Sequence, residues 1–171
     1  VLYPLRLLSH FFIFKLIDHG KYIDSWIKSR DMGFYSLSYE FWKGGKDRMR
    51  RSFNPDFFIK INLQHYMDKL SSDNPMRDLK KLRELEDNGI KEIIHAVEIK
   101  SDEEQDEITR AKEKYGIDHF NNVNRRLQEI NPIDLAEEFQ GNTSQYYIFN
   151  LLTPDKYDEW FSNLRIGNIN V

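Results

Sequence analysis

The stretches "SFNPDFFIKI", residues 52–61, and "HAVEIKSDEE", residues 95–104, hold the two apolar strands on which the predicted fold depends. The first strand begins with Asp56, directly after a proline. The second consists of Ala, Val and Ile apart from His95, Glu98 and Lys100. Charged side chains inside such strands cost free energy unless something pairs with them. We therefore expect these charges to serve a site.

The spacing of these charges predicts a metal site. Side chains alternate along a strand, so Glu98 and Lys100 share one face about 6.6 Å apart, and Asp56 joins them if the strands are neighbours. Two carboxylates repel each other unless a cation lies between them, and Mg²⁺ is held by one or two carboxylates plus water and phosphate oxygens. We expect Asp56, Glu98 and the Ile99 carbonyl to bind metal. Lys100 would activate water or stabilise the transition state.

A purely structural interpretation stays open for the same residues. Asp56 would then be a turn residue that caps a strand. Glu98 and Lys100 would form an ion pair on an exposed face of the sheet, where such pairs contribute little.

Composition limits the class of protein. The chain has 171 residues, of which 40% are hydrophobic and 31% charged, which predicts one globular domain over residues 1–171. The sequence has no cysteine, which excludes disulfides and thiolate metal sites and favours a cytoplasmic protein. Charges interrupt the apolar N-terminal stretch, so we expect no membrane span. Because the sequence begins with Val1, we expect a fragment of a larger protein.

The start of the chain predicts two helices. Apolar residues recur through residues 5–18 at a spacing typical of a helix buried on most sides. Residues 20–33 are predicted as a short amphipathic helix with Ile23, Trp26 and Ile27 facing the core.

A hairpin is predicted next. Residues 34–42, "FYSLSYEFW", alternate between apolar and polar side chains, which predicts a strand with one buried face. The pair Gly44 and Gly45 then favours a tight turn. We expect this strand to pair antiparallel with residues 52–61.

Residues 62–92 are predicted as a helical insertion between two strands. Asn74 and Pro75 mark a turn, and "NG" at residues 88 and 89 ends the second helix. The apolar stripe predicted for that helix comprises Met76, Leu79, Leu82 and Leu85.

The rest of the chain completes an α/β pattern. Residues 90–100 are predicted as a strand buried on both faces, and residues 101–130 as a long helix with acidic residues in its first turn. A strand at residues 146–152 and a helix at residues 153–164 follow, the latter with Thr153 as its N-cap.

The motifs "NPDFFIKI" and "AVEIK" resemble the PD-(D/E)xK nuclease superfamily, with Pro55-Asp56 as one half and Glu98-Ile99-Lys100 as the other. From about residue 22 to residue 162, the chain resembles the nuclease domain at the C-terminal end of DEAD/DEAH helicase-type restriction subunits, including type III-like ones. The resemblance implies a restriction-endonuclease-like central mixed sheet flanked by helices.

The resemblance also implies an activity. It would be hydrolysis of DNA phosphodiester bonds with Mg²⁺, or Mn²⁺ in its place, beside a helicase or ATPase region of the parent chain or subunit in a restriction or defence system. Two such domains that meet to cut both strands would form a homodimer. The sequence contains no glycine-rich phosphate loop, so an ATPase motor must lie elsewhere.

Two features depart from the family pattern. The family usually has an acidic residue on its first helix that assists metal binding. Here either Asp18 or Asp24 takes that role, or the residue is absent. Asp56 and Glu98 are also 42 residues apart, more than in the compact pattern, and the predicted insertion accounts for the excess.

Basic side chains near Asp56 predict contacts with nucleic acid, although the net charge of −3 means that any basic surface is local. A solvated hairpin tip is the alternative. On the long helix the resemblance favours Lys112 over Lys114 as a residue of the site, whereas His95 and His119 are expected to be structural. The predicted contact residues are Lys43, Lys46, Arg48, Arg50, Arg51 and Lys112.

Two other function classes stay open. One is a noncatalytic nucleic-acid-binding or assembly module that keeps the same fold without effective metal binding. The other is an unrelated α/β interaction domain whose charged strand is exposed.

Overall fold

The computed structural model of the protein describes residues 5–30, 35–101, 106–134 and 143–169. These residues form a mixed α/β fold of helices and strands, as predicted. Short 3-10 helices at Gly20–Tyr22 and Pro132–Asp134 accompany them. In chain order the elements are α1 (Leu5–Asp18), β1 (Ser25–Lys28), β2 (Leu37–Lys43), β3 (Asp47–Phe53), β4 (Phe57–Asn62), α2 (Leu63–Asp73), α3 (Lys80–Asp87), β5 (Glu92–Ile99), α4 (Glu107–Glu129), β6 (Gln145–Leu152) and α5 (Pro154–Ile166).

The main sheet has four strands in the order β1-β4-β5-β6. β4 is antiparallel to both β1 and β5, whereas β6 is parallel to β5. β5 therefore has a hydrogen-bonded neighbour on each side, and its residues from Ile93 to Ile99 are buried. The adjacency of β4 and β5, on which the predicted site depends, is confirmed.

The two faces of the main sheet pack against different elements. On one face Phe57, Ile59 and Val97 belong to a core that includes residues of α1, α2 and α5. On the other face Ala96 and Phe149 pack with residues of β2 and α4. Strand alternation produces this division, and it places Glu98 on the side of β2 and α4.

The hairpin corrects one prediction. Gly44 and Gly45, with φ of 59° and 72°, turn the chain from β2 into β3, and these two strands form a separate sheet. Only Ser52 and Phe53 of the predicted strand 52–61 pair with β2, so the expected pairing of the whole strand is wrong. The physical reason is the proline after Asn54, which lacks an N–H group and favours the end of a strand. The chain then enters the main sheet as β4.

A second correction concerns the predicted helix at residues 20–33. The structure has a 3-10 turn followed by β1, an edge strand that pairs with β4. Ile23 is buried as predicted, but Trp26 and Ile27 are exposed. Three apolar residues in so short a stretch fit the period of a helix as well as that of a strand. Aromatic and β-branched side chains favour a strand when a neighbouring strand is available for pairing. Residues 31–34, where the helix was expected to end, lie outside the described residues.

Helix α1 is present with the predicted bounds, but only one of its faces is buried. Leu8, Phe12 and Leu16 lie in the main core. The prediction of burial on most sides is therefore wrong, because packing against the sheet and α5 covers a single stripe of the helix. Its opposite face exposes Leu7, Phe11, Phe14 and Ile17.

The segment between β4 and β5 is helical, as predicted. Asn62 caps α2 by accepting a hydrogen bond from the N–H of His65. In α3, Leu82 is buried. Met76 precedes the helix and is 90% exposed, so its predicted place in the stripe is wrong. Gly89, with φ of 81°, ends the helical segment. Buried residues of both helices belong to the main core.

Within the ranges that the structure describes, no helix combines the length and the apolar character that crossing a bilayer demands.

The contact of α4 with β6 leads to a stability prediction. A Cβ atom added at Gly116 would lie 2.6 Å from the Phe149 ring, closer than carbon atoms pack. We expect Gly116→Ala to lower the free energy of unfolding by about 1 to 3 kcal/mol, although alanine is the better helix former. Urea denaturation measures the change. Gly20→Ala, where the added Cβ meets nothing within 4 Å, is the matched control, and an unchanged or higher stability for Gly116→Ala would contradict the prediction.

Candidate active site

The start of β4 and the end of β5 bring the predicted carboxylates together. Phe57 is paired with Val97, so the residue before Phe57 lies beside Glu98. The Asp56 carboxylate accepts a hydrogen bond of 2.7 Å from the N–H of Ile99. Asp56 is therefore attached to the strand that carries Glu98, as the sequence predicted.

Glu98 lies in the interior beside two ammonium groups. The residue is 4% exposed. Its Oε1 atom lies 3.3 Å from Nζ of Lys100 and 2.9 Å from Nζ of Lys112. The ion pair of Glu98 and Lys100 that the structural interpretation expects is present, but its expected position on an exposed face is wrong, because all three side chains are largely shielded from water. A buried carboxylate between two ammonium groups is a costly arrangement, which is more typical of a functional site than of a stabilising contact.

Lys112 extends from α4 into the same cluster. Its ammonium group lies 5.0 Å from the ring centroid of Phe53 and 6.0 Å from that of Tyr39. Burial lowers the pKa of Lys112, and the negative charge of Glu98 opposes this effect. The sequence placed Lys112 among the nucleic-acid contacts, and only the resemblance distinguished it from Lys114, which is exposed.

Asp56 is destabilised in its ionised form. Burial, followed by the negative charge of Glu98, raises its pKa to about 6, while the N–H of Ile99 and the two lysines act in the opposite direction. At neutral pH the carboxylate is still ionised, so a cation placed between Asp56 and Glu98 would relieve an existing repulsion.

The raised pKa predicts a pH-dependent effect of Asp56→Asn in metal-free protein. The folded state binds the proton of the Asp56 carboxyl group more tightly than the unfolded state does. The contribution of Asp56 to the free energy of unfolding therefore decreases as the pH rises from about 4 to about 6. Asparagine keeps an oxygen for the N–H of Ile99 but carries no charge. We expect the variant to match the wild type at pH 4 and to be more stable by about 1 to 3 kcal/mol at pH 8.

Urea denaturation in EDTA across this pH range measures the difference between Asp56→Asn and the wild type. Asp87→Asn, which changes an exposed aspartate, should show no such pH-dependent difference. A destabilised Asp56→Asn protein at pH 8 would contradict the prediction.

The oxygen atoms at this end of the sheet fit a hard divalent cation. Asp56 and Glu98 provide two carboxylates. The Ile99 carbonyl lies on the Asp56 side of β5, because the N–H and C=O of one strand residue point to the same neighbour. Mg²⁺ needs no more than one or two protein carboxylates, with water in its other positions. Across the described ranges, no group of three or more His, Asp or Glu side chains is placed to hold a metal.

The acidic residues considered for the first helix do not complete this set. Asp24 forms an ion pair of 3.1 Å with Lys60, which lies four residues after Asp56 in the chain. Lys60 also contacts Glu92. Asp18 is the exposed last residue of α1.

The basic residues of the hairpin lie on two different faces. Arg51 is opposite Tyr39, and its guanidinium lies 5.4 Å from the ring centroid of Phe41. Alternation directs Arg48 and Arg50 to the other face, where Arg48 forms an ion pair with Glu40. Lys46 lies in the exposed turn, and the backbone of Lys43 ends β2.

Tyr39 lies between the hairpin and the site, with its ring centroid 6.0 Å from the ammonium group of Lys112. Burial raises the pKa of its hydroxyl, and the charges of Arg51 and Lys100 oppose this effect. Of the arginines that were predicted to contact nucleic acid, Arg51 is therefore the one on the hairpin face that is directed toward the carboxylates. The placement of the basic residues on two faces was not predicted, because Asp47–Phe53 was not identified as the partner strand of β2.

The two histidines that were expected to be structural differ in burial: His95 is buried, whereas His119 is partly buried. Nδ1 of His95 lies 3.0 Å from Nδ2 of Asn150, and the His95 ring meets Trp160 edge to face. Burial lowers the pKa of His95 to about 4, so the ring is neutral at pH 7. Nε2 of His119 lies 2.6 Å from the Tyr35 hydroxyl. Strand alternation places His95 on the face opposite Glu98.

The resemblance to the PD-(D/E)xK superfamily stays a prediction based on the quoted motifs. Comparisons of the chain with protein-family models, with curated proteins and with solved structures found no match.

Proposed function

We propose that this domain is a Mg²⁺-dependent deoxyribonuclease of the PD-(D/E)xK type, which hydrolyses phosphodiester bonds in DNA. One observation carries the proposal: Asp56, Glu98 and Lys100 lie together where β4 begins and β5 ends. The four-stranded mixed sheet with helices on both faces supports it as well, because the resemblance implies such a sheet.

Each residue has a distinct task in this proposal. Asp56, Glu98 and the Ile99 carbonyl would hold Mg²⁺, or Mn²⁺ in its place. When bound, the ion supplies an acidified water molecule and polarises the phosphodiester. Lys100 directs its ammonium to the same point, where it orients the attacking water and offsets the charge that develops on the phosphate oxygens. Glu98 holds that ammonium in place through its contact of 3.3 Å.

The hairpin would contact the DNA backbone. Arg51 extends from the hairpin face that is directed toward the carboxylates, whereas Arg50 is exposed on the opposite face and Lys46 in the turn. Cations that neutralise phosphates release counterions, which provides affinity without a preference for sequence. Arg48 contributes less, because Glu40 already neutralises it. Lys112 acts next to the carboxylates, since Glu98 and two aromatic rings enclose it.

The resemblance sets the cellular context of the proposal. The domain would belong to a cytoplasmic restriction or defence system, attached to a helicase or ATPase region in the same chain or in another subunit. Cutting both strands would then take two copies of the domain.

A cleavage assay tests the proposal. The domain, and the full parent chain with ATP, are incubated with plasmid and linear DNA in Mg²⁺, Mn²⁺ or EDTA. We expect cutting that requires metal and that Asp56→Asn abolishes, whereas Asp87→Asn leaves it intact. If the folded parent chain with ATP cuts neither substrate, the nuclease proposal is wrong.

A noncatalytic nucleic-acid-binding or assembly module is the second candidate. Two observations favour it: Glu98 is already neutralised by two lysines, and no third acidic ligand stands beside Asp56 and Glu98 in the described ranges. Titration calorimetry separates the candidates. A nuclease binds Mg²⁺ or Mn²⁺ in a manner that Asp56→Ala abolishes, whereas the module binds DNA without binding metal.

A further inference from the structure

Among the strands that the structure describes, β6 is the last of its sheet, and its outer edge borders a groove of about 480 Å³. Its floor is formed by residues 146–152, which belong to β6. One wall comes from α4 and includes Glu113 and Ile117, and the other comes from α5 and includes Glu159 and Trp160. Because α4 packs on one face of the sheet and α5 on the other, the groove follows the edge of the sheet.

The pairing of β6 with β5 determines which backbone groups point into this groove. The carbonyls of Ser144 and Leu152 accept hydrogen bonds from Lys91 and Lys100, which border β5. In a strand, successive residues direct their N–H and C=O groups to opposite sides. The even-numbered residues of β6 therefore face β5, and the odd-numbered residues face the groove.

One helix side chain already occupies a strand position at this edge. Oδ1 of Asn124 accepts a hydrogen bond from the N–H of Tyr147, and Nδ2 of Asn124 donates one to the C=O of Tyr147. Both bonds are 2.7 Å long. A residue of a neighbouring strand would make the same two bonds. Asn124 is buried, so this single amide stabilises one residue of the edge and leaves the following ones for another partner.

Phe149 and Leu151 are the next residues that face the groove. In the part of the chain that the structure describes, no side chain bonds to their backbone groups as Asn124 does to Tyr147. A strand edge whose backbone groups are unpaired accepts an extended peptide as an additional strand. The volume of the groove lies within the range of known ligand sites, about 300 to 1,000 Å³.

The charges at the rim indicate the chemistry of the occupant. Glu113 and Glu159 line opposite walls, and neither forms an ion pair within the described ranges. Lys156 is the single basic residue among those that line the groove. A segment that carries a lysine or arginine would thus meet a surplus of negative charge, while Ile117 and Trp160 offer apolar contacts to its other side chains.

We propose that the β6 edge binds an extended segment of a partner protein, rich in β-branched residues and carrying at least one basic residue, as a fifth strand. A second copy of this domain fits less well. Its own β6 has α4 and α5 on its two faces, and those helices would meet the walls of the groove. The proposal does not depend on the nuclease activity.

A peptide screen tests this proposal. A library of acetylated and amidated heptapeptides, varied over Val, Ile, Thr, Lys and Arg, is screened against the domain. The tightest binder is then titrated by NMR. We expect the amides of Phe149 and Leu151 to shift and to become protected from hydrogen exchange. N-methylation of the peptide amides that face β6 should weaken binding at least tenfold, and N-methylation of the alternate amides should not.

Ile117→Lys provides a matched variant, because Ile117 is 43% exposed and the substitution adds positive charge to the groove wall. This substitution should weaken the binding of a basic peptide at least tenfold. Ile166→Lys, at a residue that is 50% exposed and does not line the groove, should leave binding unchanged. Three results would overturn the proposal. Either no heptapeptide binds, or no position of N-methylation weakens binding, or the domain dimerises through β6 and the Leu151 amide is protected from hydrogen exchange before peptide is added.

Discussion

Replacing Lys100 by methionine is expected to lower the rate of metal-dependent DNA cleavage by about 10²- to 10³-fold, the loss typical of removing one donor that stabilises transition-state charge. Methionine keeps most of the buried aliphatic stem and removes only the ammonium group, which lies 3.3 Å from Glu98. The loss should appear in the rate constant at saturating Mg²⁺, because Lys100 provides no metal ligand. Single-turnover cleavage of plasmid DNA measures it.

Two further lysine variants make this result specific. Lys114→Met, an exposed position on the same helix as Lys112, should cleave at the wild-type rate. Lys112→Met tests the neighbouring ammonium, which lies 2.9 Å from the same oxygen of Glu98. If Lys112→Met abolishes cleavage and Lys100→Met does not, the proposed chemical role belongs to Lys112.

Glu98→Gln should destabilise the metal-free protein by about 3 to 5 kcal/mol at pH 7, because it removes the counter-charge from two buried ammonium groups. Glutamine has nearly the same volume as glutamate, so little packing is lost. Lys100 and Lys112 are shielded from water and cannot recover their hydration without disturbing the core around Phe53. Urea denaturation in EDTA measures the free energy of unfolding.

Glu92→Gln is the matched control for this prediction. Glu92 lies on the same strand and contacts Lys60 at 3.2 Å, but both side chains of that pair are partly exposed, so we expect a loss below about 1 kcal/mol. Adding Lys112→Met to Glu98→Gln should restore part of the lost stability, because one uncompensated charge is then gone. Equal losses for Glu98→Gln and Glu92→Gln would contradict the proposed burial of charge.

The central part of the fold was predictable because its signals are local. The charges on β5 stand out in a short apolar run, and strand alternation alone places Glu98 and Lys100 on one face. A glycine pair and a proline with known backbone preferences also marked both ends of β3. Combining these signals correctly required one further fact, namely that the chain changes sheets at Pro55.

The errors arose where the outcome depends on distant partners. Trp26 and Ile27 fit either a helix or a strand until β4 is available as a neighbour. The outer face of α1 is as apolar as its buried face, so composition could not show which side remains exposed. The contact of Lys112 with Glu98 depends on how α4 lies across the sheet, which helical periodicity alone does not determine.

The central position of β5 has a consequence for the protein during its synthesis. Its two neighbours come from opposite sides in sequence, and the later one, β6, ends at Leu152. A nascent chain that ends before β6 has one side of an apolar strand unpaired, a form that invites association with other chains. It also lacks the carbonyl of Leu152, which accepts a hydrogen bond from the N–H of Lys100. The ribosome must therefore release the chain through Leu152 before both sides of β5 are hydrogen-bonded, so products truncated before β6 would be prone to aggregate.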